Sequence, residues 1–454
     1  MSTAQTSLQQ AESRRLEARA EAANGRFDEA IASYEKAIEL SPREPSLRIE
    51  LGAVLLRTAR FPDAIAAFAQ AVRVSPRNVD AEIGLAQAYR NVHNYAEAQS
   101  TLERACREHP KYAAPLTVLG DLDIELEIFD PAIAHLNAAL TLAPANVEAR
   151  TRLALAYKAK GDQESALKQF AKALLRDPKN ALAYYERAEI YYDTGRDELA
   201  LHDAEEVLEL QAHNPRGRVL LGKILLRAPK GASEVETAKR CGRAVEALEP
   251  LLATQSNDSG MLFLLSRAYK CAGKRDEAAK TVVLLKAALQ NDQTTRENRM
   301  QAKHLSGRAN DLALKNDLAG ALDLLQQAVA KDPSYAFSYS QLAKIYYSEG
   351  DINKASETIA QALARDPYQP DFRYVQGKIL EKQGRFDEAL AAFEQTTLIN
   401  PKESDAFFEI GAICQQRNDR ACALAAYKKA AELSPDDPDY RRALDTLSTG
   451  AARK

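Results

Sequence analysis

The sequence predicts an all-α solenoid built of stacked helix–turn–helix repeats. Three observations carry this. The hexapeptide GRFDEA occurs at Gly25–Ala30 and again at Gly384–Ala389. Frames of 34 residues open at residues 11, 45, 79, 113, 147, 181, 215, 259, 302, 336, 370 and 404. They place alanine at position 20 of all twelve, from Ala30 and Ala64 to Ala389 and Ala423, counting the seventh (Ala244) after an insertion. Position 8 is always Ala, Gly or Ser, and position 32 is Pro in nine frames, among them Pro42, Pro178 and Pro435. A fixed period of this length marks a repeat architecture.

Each element of a frame has a physical reason. Positions 4, 7, 8 and 11 share one helical face, as in Leu85, Ala86 and Tyr89. Positions 20, 24 and 27 form a second face, as in Ala166, Phe170 and Ala173. Between the two helices stands Gly25, Gly161, Gly195, Gly273, Gly350 or Gly384, or else Asn316 or Asn418. Both residue types tolerate the left-handed backbone that ends a helix. The Pro at position 32 stops the second helix, and the small residues at 8 and 20 let the pair approach closely.

This pattern resembles the tetratricopeptide repeat over residues 11 to 437. The resemblance implies a right-handed superhelical solenoid. It implies an N-terminal array over 11–292 (repeats one to eight, irregular at 227–258), a linker at 293–301 and a C-terminal array over 302–438. A capping helix is expected at 439–448, with disordered ends at 1–10 and 449–454. Frame seven carries RAPKGASEVETAKR (227–240) where a tight turn belongs, and frame eight lacks its Pro before NDQTTRENRM (291–300).

Composition narrows the function. The chain of 454 residues has a net charge of −3, without the basic excess that marks a nucleic-acid binder. No stretch approaches the ~18 apolar residues of a membrane span. Cys106, Cys241, Cys271, Cys414 and Cys422 include no CxxC pair and are odd in number, so a disulfide framework is not expected and a reduced, cytoplasmic protein is. Cys414 reads as a core residue, although Cys422 in the paired helix is near enough in sequence to approach it. Gly217–Lys223 nearly matches a phosphate loop, but Ile224 stands where Ser or Thr is required and Gly222 fills position 8 of a helix. Cys106 and His109 offer two metal ligands where four are needed. The histidines form no triad or paired-acid pattern. No catalytic residue, metal, cofactor or small-molecule substrate is expected.

The resemblance implies a concave groove lined by positions 2, 5, 9 and 12 of each first helix, which holds a peptide or a partner helix. Those positions include Tyr185, Tyr192, Phe337, Lys344, Tyr347, Tyr374, Lys378 and Phe408. Aromatic residues beside charge suit an interface, and they equally suit packing against the next repeat. Two subtypes are not matched. Asn310 alone fits the chaperone-tail clamp, with Gln341 and Val375 at its later positions; the asparagine ladder of sugar-transferase arrays is absent at position 6. The expected function is that of a non-enzymatic scaffold or adaptor for a protein or peptide partner. The alternative is a regulatory or substrate-recruiting subunit of an enzyme complex.

Overall fold

A computed structural model describes residues 3–227 and 233–449. Among them there is no strand. Frame one is α1 (Thr3–Ala23) and α2 (Phe27–Leu40), frame two α3 (Pro45–Arg57) and α4 (Phe61–Val74), and frame three α5 (Val79–Asn91) and α6 (Tyr95–Glu108). Frames four to six are α7 (Ala113–Glu125) with α8 (Phe129–Leu142), α9 (Val147–Lys160) with α10 (Gln163–Arg176), and α11 (Ala181–Asp193) with α12 (Asp197–Leu210). Frame seven is α13 (Pro215–Leu225) and α14 (Glu234–Leu248), followed by a 3₁₀ turn, Glu249–Ala253, and α15 (Ser259–Cys271) opens frame eight. Helix α16 (Arg275–Leu314) closes frame eight and opens frame nine, which ends with α17 (Leu318–Lys331). Frames ten to twelve are α18 (Ala336–Glu349) with α19 (Ile352–Arg365), α20 (Pro370–Lys382) with α21 (Phe386–Ile399), and α22 (Ser404–Gln416) with α23 (Arg420–Leu433). Helix α24 (Pro438–Thr449) follows, where the capping helix is expected.

The repeat logic holds atom by atom. Eleven of the position-20 alanines are 0% exposed, and Ala278 is partly buried. At position 8 of frame eleven, a Cβ on Gly377 would lie 2.5 Å from Phe393 Cε1, so the paired helices meet at bare backbone. Gly222 faces Leu248 in the same way, which assigns the phosphate-loop lookalike to helix packing. The turn glycines adopt positive φ, as at Gly25 (76°) and Gly384 (75°). Ala59, His93 and Glu127 take φ of 56°, 59° and 60° at the same register, although their side chains disfavour it. There the helix pair imposes the turn.

Four expectations need correction. The helix starts at Thr3, inside the stretch read as a disordered end. Residues 293–301 are not a linker but the interior of α16: without a Pro at position 32 nothing stops the helix, and NDQTTRENRM contains no Gly or Pro. Of the irregular region, 228–232 lies outside the described residues, and the remainder is mainly helical. Residues 450–454 also lie outside them.

The fourth correction concerns grouping. The compact units are Met1–Thr101 with Arg296–Lys454, and Leu102–Thr295, rather than two sequential arrays. In the first unit, frames two and three touch frames ten and eleven. Ile399 is 2% exposed and joins the core of frames one to three. Phe61 meets Tyr368 with ring centroids 5.0 Å apart, and the Tyr368 hydroxyl donates to the Ala59 carbonyl. Asn94 Nδ2 donates to the Ile399 carbonyl at 2.6 Å, and Lys402 pairs with Glu97 at 3.2 Å. The second unit has its largest core around Leu220, Ile224, Leu248, Leu262 and Leu265.

The cysteines depart from expectation too. Cys241 of α14 is disulfide-bonded to Cys271 of α15, and Cys414 of α22 to Cys422 of α23. The paired helices left the approach of Cys422 to Cys414 open, but spacing gave no sign of Cys241 with Cys271; helix pairing brings the Cα atoms to 5.7 Å in Cys241–Cys271 and 5.8 Å in Cys414–Cys422. Cys106 is a free, half-buried thiol.

Candidate functional site

The first helix of each frame supplies the face on which the candidate residues lie. Much of that face is engaged within the chain. Tyr185 is 9% exposed; its hydroxyl donates to Glu189 at 2.7 Å, and the Arg216 guanidinium sits 4.4 Å from its ring centroid. Burial, and then the Glu189 carboxylate, push its pKa up to about 12. Tyr192 lies under Arg227, 3.6 Å from guanidinium carbon to ring centroid. Tyr374 packs on Phe393 and donates to Glu409 at 3.3 Å. Lys378 bridges Glu381 and Glu409 at 2.8 and 2.9 Å. Burial pulls the Lys378 pKa down, but these two carboxylates outweigh it and hold the ammonium charged. Phe408 stacks between Tyr427 and Tyr440, under the last helix.

Frame ten is different. Phe337 touches Phe372 edge-on yet stays 40% exposed. Lys344 is exposed and Tyr347 half-buried on the same helix. Beside them a cleft of ≈ 90 Å³ is lined by Asn310, Ala313, Leu325, Gln341, Lys344 and Ile345, with Ala309. The structure thus brings Lys344 together with Asn310 and Gln341. Tyr185 and Tyr192 belong to the other unit.

Within each unit, ion pairs missed from sequence join successive first helices. Arg15 and Arg19 of α1 both bond Glu50 of α3, at 2.5 and 2.6 Å. Burial raises the Glu50 pKa, but the hydrogen bonds from Arg19 and Arg15 outweigh it and hold the carboxylate at about 2. Arg152 pairs with Asp121 at 2.9 Å, and Lys158 reaches Glu186 and Glu189 at 2.5 and 2.6 Å. The signal was present in the frame: position 9 of one repeat faces position 6 of the next. Reading repeats singly concealed it.

Among the described residues, the stacked helix pairs and their close-packed small residues define an all-α helical repeat solenoid. Two family models described as tetratricopeptide repeat match it, one at residues 15–79, 117–175, 151–215 and 374–438, the other at 60–122 and 312–379. The chain belongs to the tetratricopeptide repeat family.

Superkiller protein 3 of Schizosaccharomyces pombe is 32% identical over 114 residues, covering 25% of this chain and 8% of that protein. DnaJ homolog subfamily C member 3 of Homo sapiens is 35% identical over 86 residues, covering 19% and 17%. The chain therefore matches less than a fifth of the length of these curated relatives. Among solved structures, a tetratricopeptide repeat protein from Parabacteroides merdae aligns with 20% identity and a TM-score of 0.43, over 57% of this chain and 99% of that one. YrrB, described as having an unusual peptide-binding site, aligns with 24% identity and a TM-score of 0.32, over 40% and 95%. These are likenesses of fold.

Proposed function

We propose that the chain is a non-catalytic interaction scaffold or adaptor. It holds a peptide or partner helix on the face formed by the first helices of frames nine to eleven. The observation that carries this reading is the contrast on that face. Tyr185, Tyr192, Tyr374, Lys378 and Phe408 are engaged by side chains of the neighbouring repeat or the last helix, whereas α18 leaves Phe337 and Lys344 exposed beside an apolar cleft. Stiff aromatic area next to a free cation is a pre-organised binding surface, with little ordering cost on the protein side.

Among the described residues no helix is long and apolar enough to cross a membrane. The cytoplasmic location expected from cysteine spacing loses that support, because disulfides persist in oxidising surroundings.

Cross-linking mass spectrometry on the chain purified with its bound proteins tests the site. The scaffold reading expects cross-links from a partner to α16, α18 and α20. Tyr347→Ala should weaken capture while the thermal melt stays within a degree or two. Cross-links confined to other faces overturn the site, and a single stoichiometric enzyme partner moves the reading to a recruiting subunit.

A further inference from the structure

One residue of each second helix marks how successive frames stack. Four places after the position-20 alanine, eleven frames bury a side chain to 3% exposure or less, among them Phe68, Leu136, Phe170 and Phe393. Frame two shows the reason. Phe68 lies between its own first helix and the next one, and a Cβ on either Gly52 or Gly84 would collide with its ring. Gly84 stands at position 6 of frame three, and position 6 is glycine in only two frames, three and nine. Frames eight and nine leave this contact unmade. The frame-eight side chain, Val282, is 37% exposed. The frame-nine socket, Gly307, is empty: a Cβ there would meet nothing within 4 Å. Apolar neighbours are bare as well. Val283 is 67% exposed, Leu289 52% and Met300 71%, and Met300, His304 and Leu305 border a cleft of ≈ 420 Å³.

While α16 stands, one chain cannot make this contact with itself. Val282 and Gly307 lie on that single helix, 25 residues or roughly 37 Å apart, with no Gly or Pro between them. Val282, Leu289, Met300 and Gly307 share one face of it, at spacings of 7, 11 and 7 residues. The spacing reads the same from either end. Two copies of α16 laid antiparallel therefore set Val282 on Gly307 and Leu289 on Met300, and do so twice over, as a two-fold interface requires.

We propose that this face of α16 pairs with a second copy of the chain, so that frame eight of one copy stacks on frame nine of the other. The pairing continues between chains the interface that Phe68 and Gly84 form within one. Burial of Val282, Leu289 and Met300 on both copies drives it. Charge agrees with the register at its centre. Exposed Arg296 comes opposite Asp292 of the second copy, which accepts from Ser259 through Oδ2 at 2.9 Å and keeps Oδ1 for the arginine. One layer opposes the pairing, because Lys286 comes to face Lys303 of the second copy. This inference goes beyond the groove reading and stands or falls apart from it.

Sedimentation velocity on the full chain, across roughly 0.1–100 μM, reads the pairing and should show a monomer–dimer equilibrium. Gly307→Trp fills the socket at a place that is open in the single chain. Its helical circular dichroism and its melt at monomeric concentrations should match wild type, while the dimer dissociation constant rises about tenfold or more. Arg296→Glu should weaken the dimer about tenfold at low salt, and adding Asp292→Lys should restore it. Lys286→Glu, which replaces a like-charged layer with an opposite one, should tighten it. A chain that stays monomeric over the whole range overturns the proposal, as does a dimer indifferent to Gly307→Trp. A double variant as weak as Arg296→Glu alone, or a Lys286→Glu dimer no tighter than wild type, overturns the antiparallel register and the proposal with it.

Discussion

The two copies of GRFDEA are an internal experiment. Their backbones agree closely. Gly25 and Gly384 have φ of 76° and 75°, and the amides of Arg26 and Arg385 donate to Glu21 and Leu380 carbonyls, both at 2.9 Å. This is the six-residue helix-ending bond that left-handed glycine permits. Beyond the hexapeptide the copies diverge. Tyr34 of α2 sends its hydroxyl to Glu50 at 3.1 Å, whereas Phe393 of α21 is 0% exposed and packs on the bare backbone of Gly377. Leu40 ends α2 half-buried, while Ile399 ends α21 buried among frames one to three. The hexapeptide encodes the turn. The following ten residues encode which neighbours the helix will have.

The largest effect should come from the packing that separates the copies. Phe393→Ala removes a fully buried ring against a glycine that cannot fill the space, and should cost about 3–5 kcal/mol. Ile399→Ala should cost ~3 kcal/mol, and Leu40→Ala, at the matching position, well under half of that. Urea unfolding of the variants measures both. Equal costs for Ile399 and Leu40 would mean that frames two and three do not cover α21 in solution. In that case amide exchange at Asn94 and Tyr368 should be fast in the wild type as well.

Next comes the cross-link beside the second copy. Cys414 and Cys422 are 8 apart in sequence, and closing so short a loop is worth about 2.5 kcal/mol in the chain-entropy account. Cys422→Ser should lower the melting temperature by several degrees under oxidising conditions and by much less after reduction. Intact mass after alkylation gives the thiol count directly. One labelled cysteine in the native, unreduced protein fits two disulfides plus Cys106. Five would restore the reduced protein that sequence spacing suggested.

Much of the fold was legible because repetition multiplies a weak signal. Ala166 alone says little, but alanine at the same place in every frame fixes the register, and with it both helices and the turn. Legibility failed where structure depends on residues far apart in sequence. Nothing around Tyr368 announces Ala59, and nothing around Cys241 announces Cys271. It failed differently at 293–301, where a disrupted repeat was read as a disrupted helix. With neither the Pro nor any Gly or Pro in NDQTTRENRM to stop it, the chain continues as helix. The site was half legible. Position numbers put Lys344, which is exposed, and Tyr347, which is half-buried, on one stretch of α18. Whether an aromatic such as Tyr374 or Phe408 is free depends on its neighbour in the next frame, such as Glu409 or Tyr440, and single-frame reading omits that neighbour.

The ionic rungs near the two copies should respond to opposite ends of the pH scale. Glu50 is held at about 2 in the folded chain, below the ordinary 4.5. Its contribution is therefore complete above the ordinary value and is lost as pH falls from there toward 2. Lys378 is raised above the ordinary lysine value by Glu381 and Glu409. Its contribution is present below that value and is lost as pH rises through the raised one. Glu50→Gln should flatten the acid limb of the stability profile and leave the alkaline limb alone, and Lys378→Met should do the reverse. A common loss on both limbs would mean that either change simply loosens the repeat.

The smallest effect is the most demanding test of the comparison. In both copies the arginine before the helix carries no capping acceptor and instead pairs with the glutamate three residues on, Arg26 with Glu29 at 2.7 Å and Arg385 with Glu388 at 2.5 Å. All four side chains are about half exposed, from 49% to 58%. Exposed pairs of this kind contribute little to stability, and salt screens them. Arg26→Ala and Arg385→Ala should therefore lower stability by the same small amount, and 0.5 M NaCl should erase both changes. Equality is the informative outcome, since the two arginines share a local sequence and differ only in what surrounds their frames. A markedly larger cost at Arg385 would show that the hexapeptide is not a self-contained turn unit and that the contact between α21 and frames one to three reaches back through the helix to its first residue.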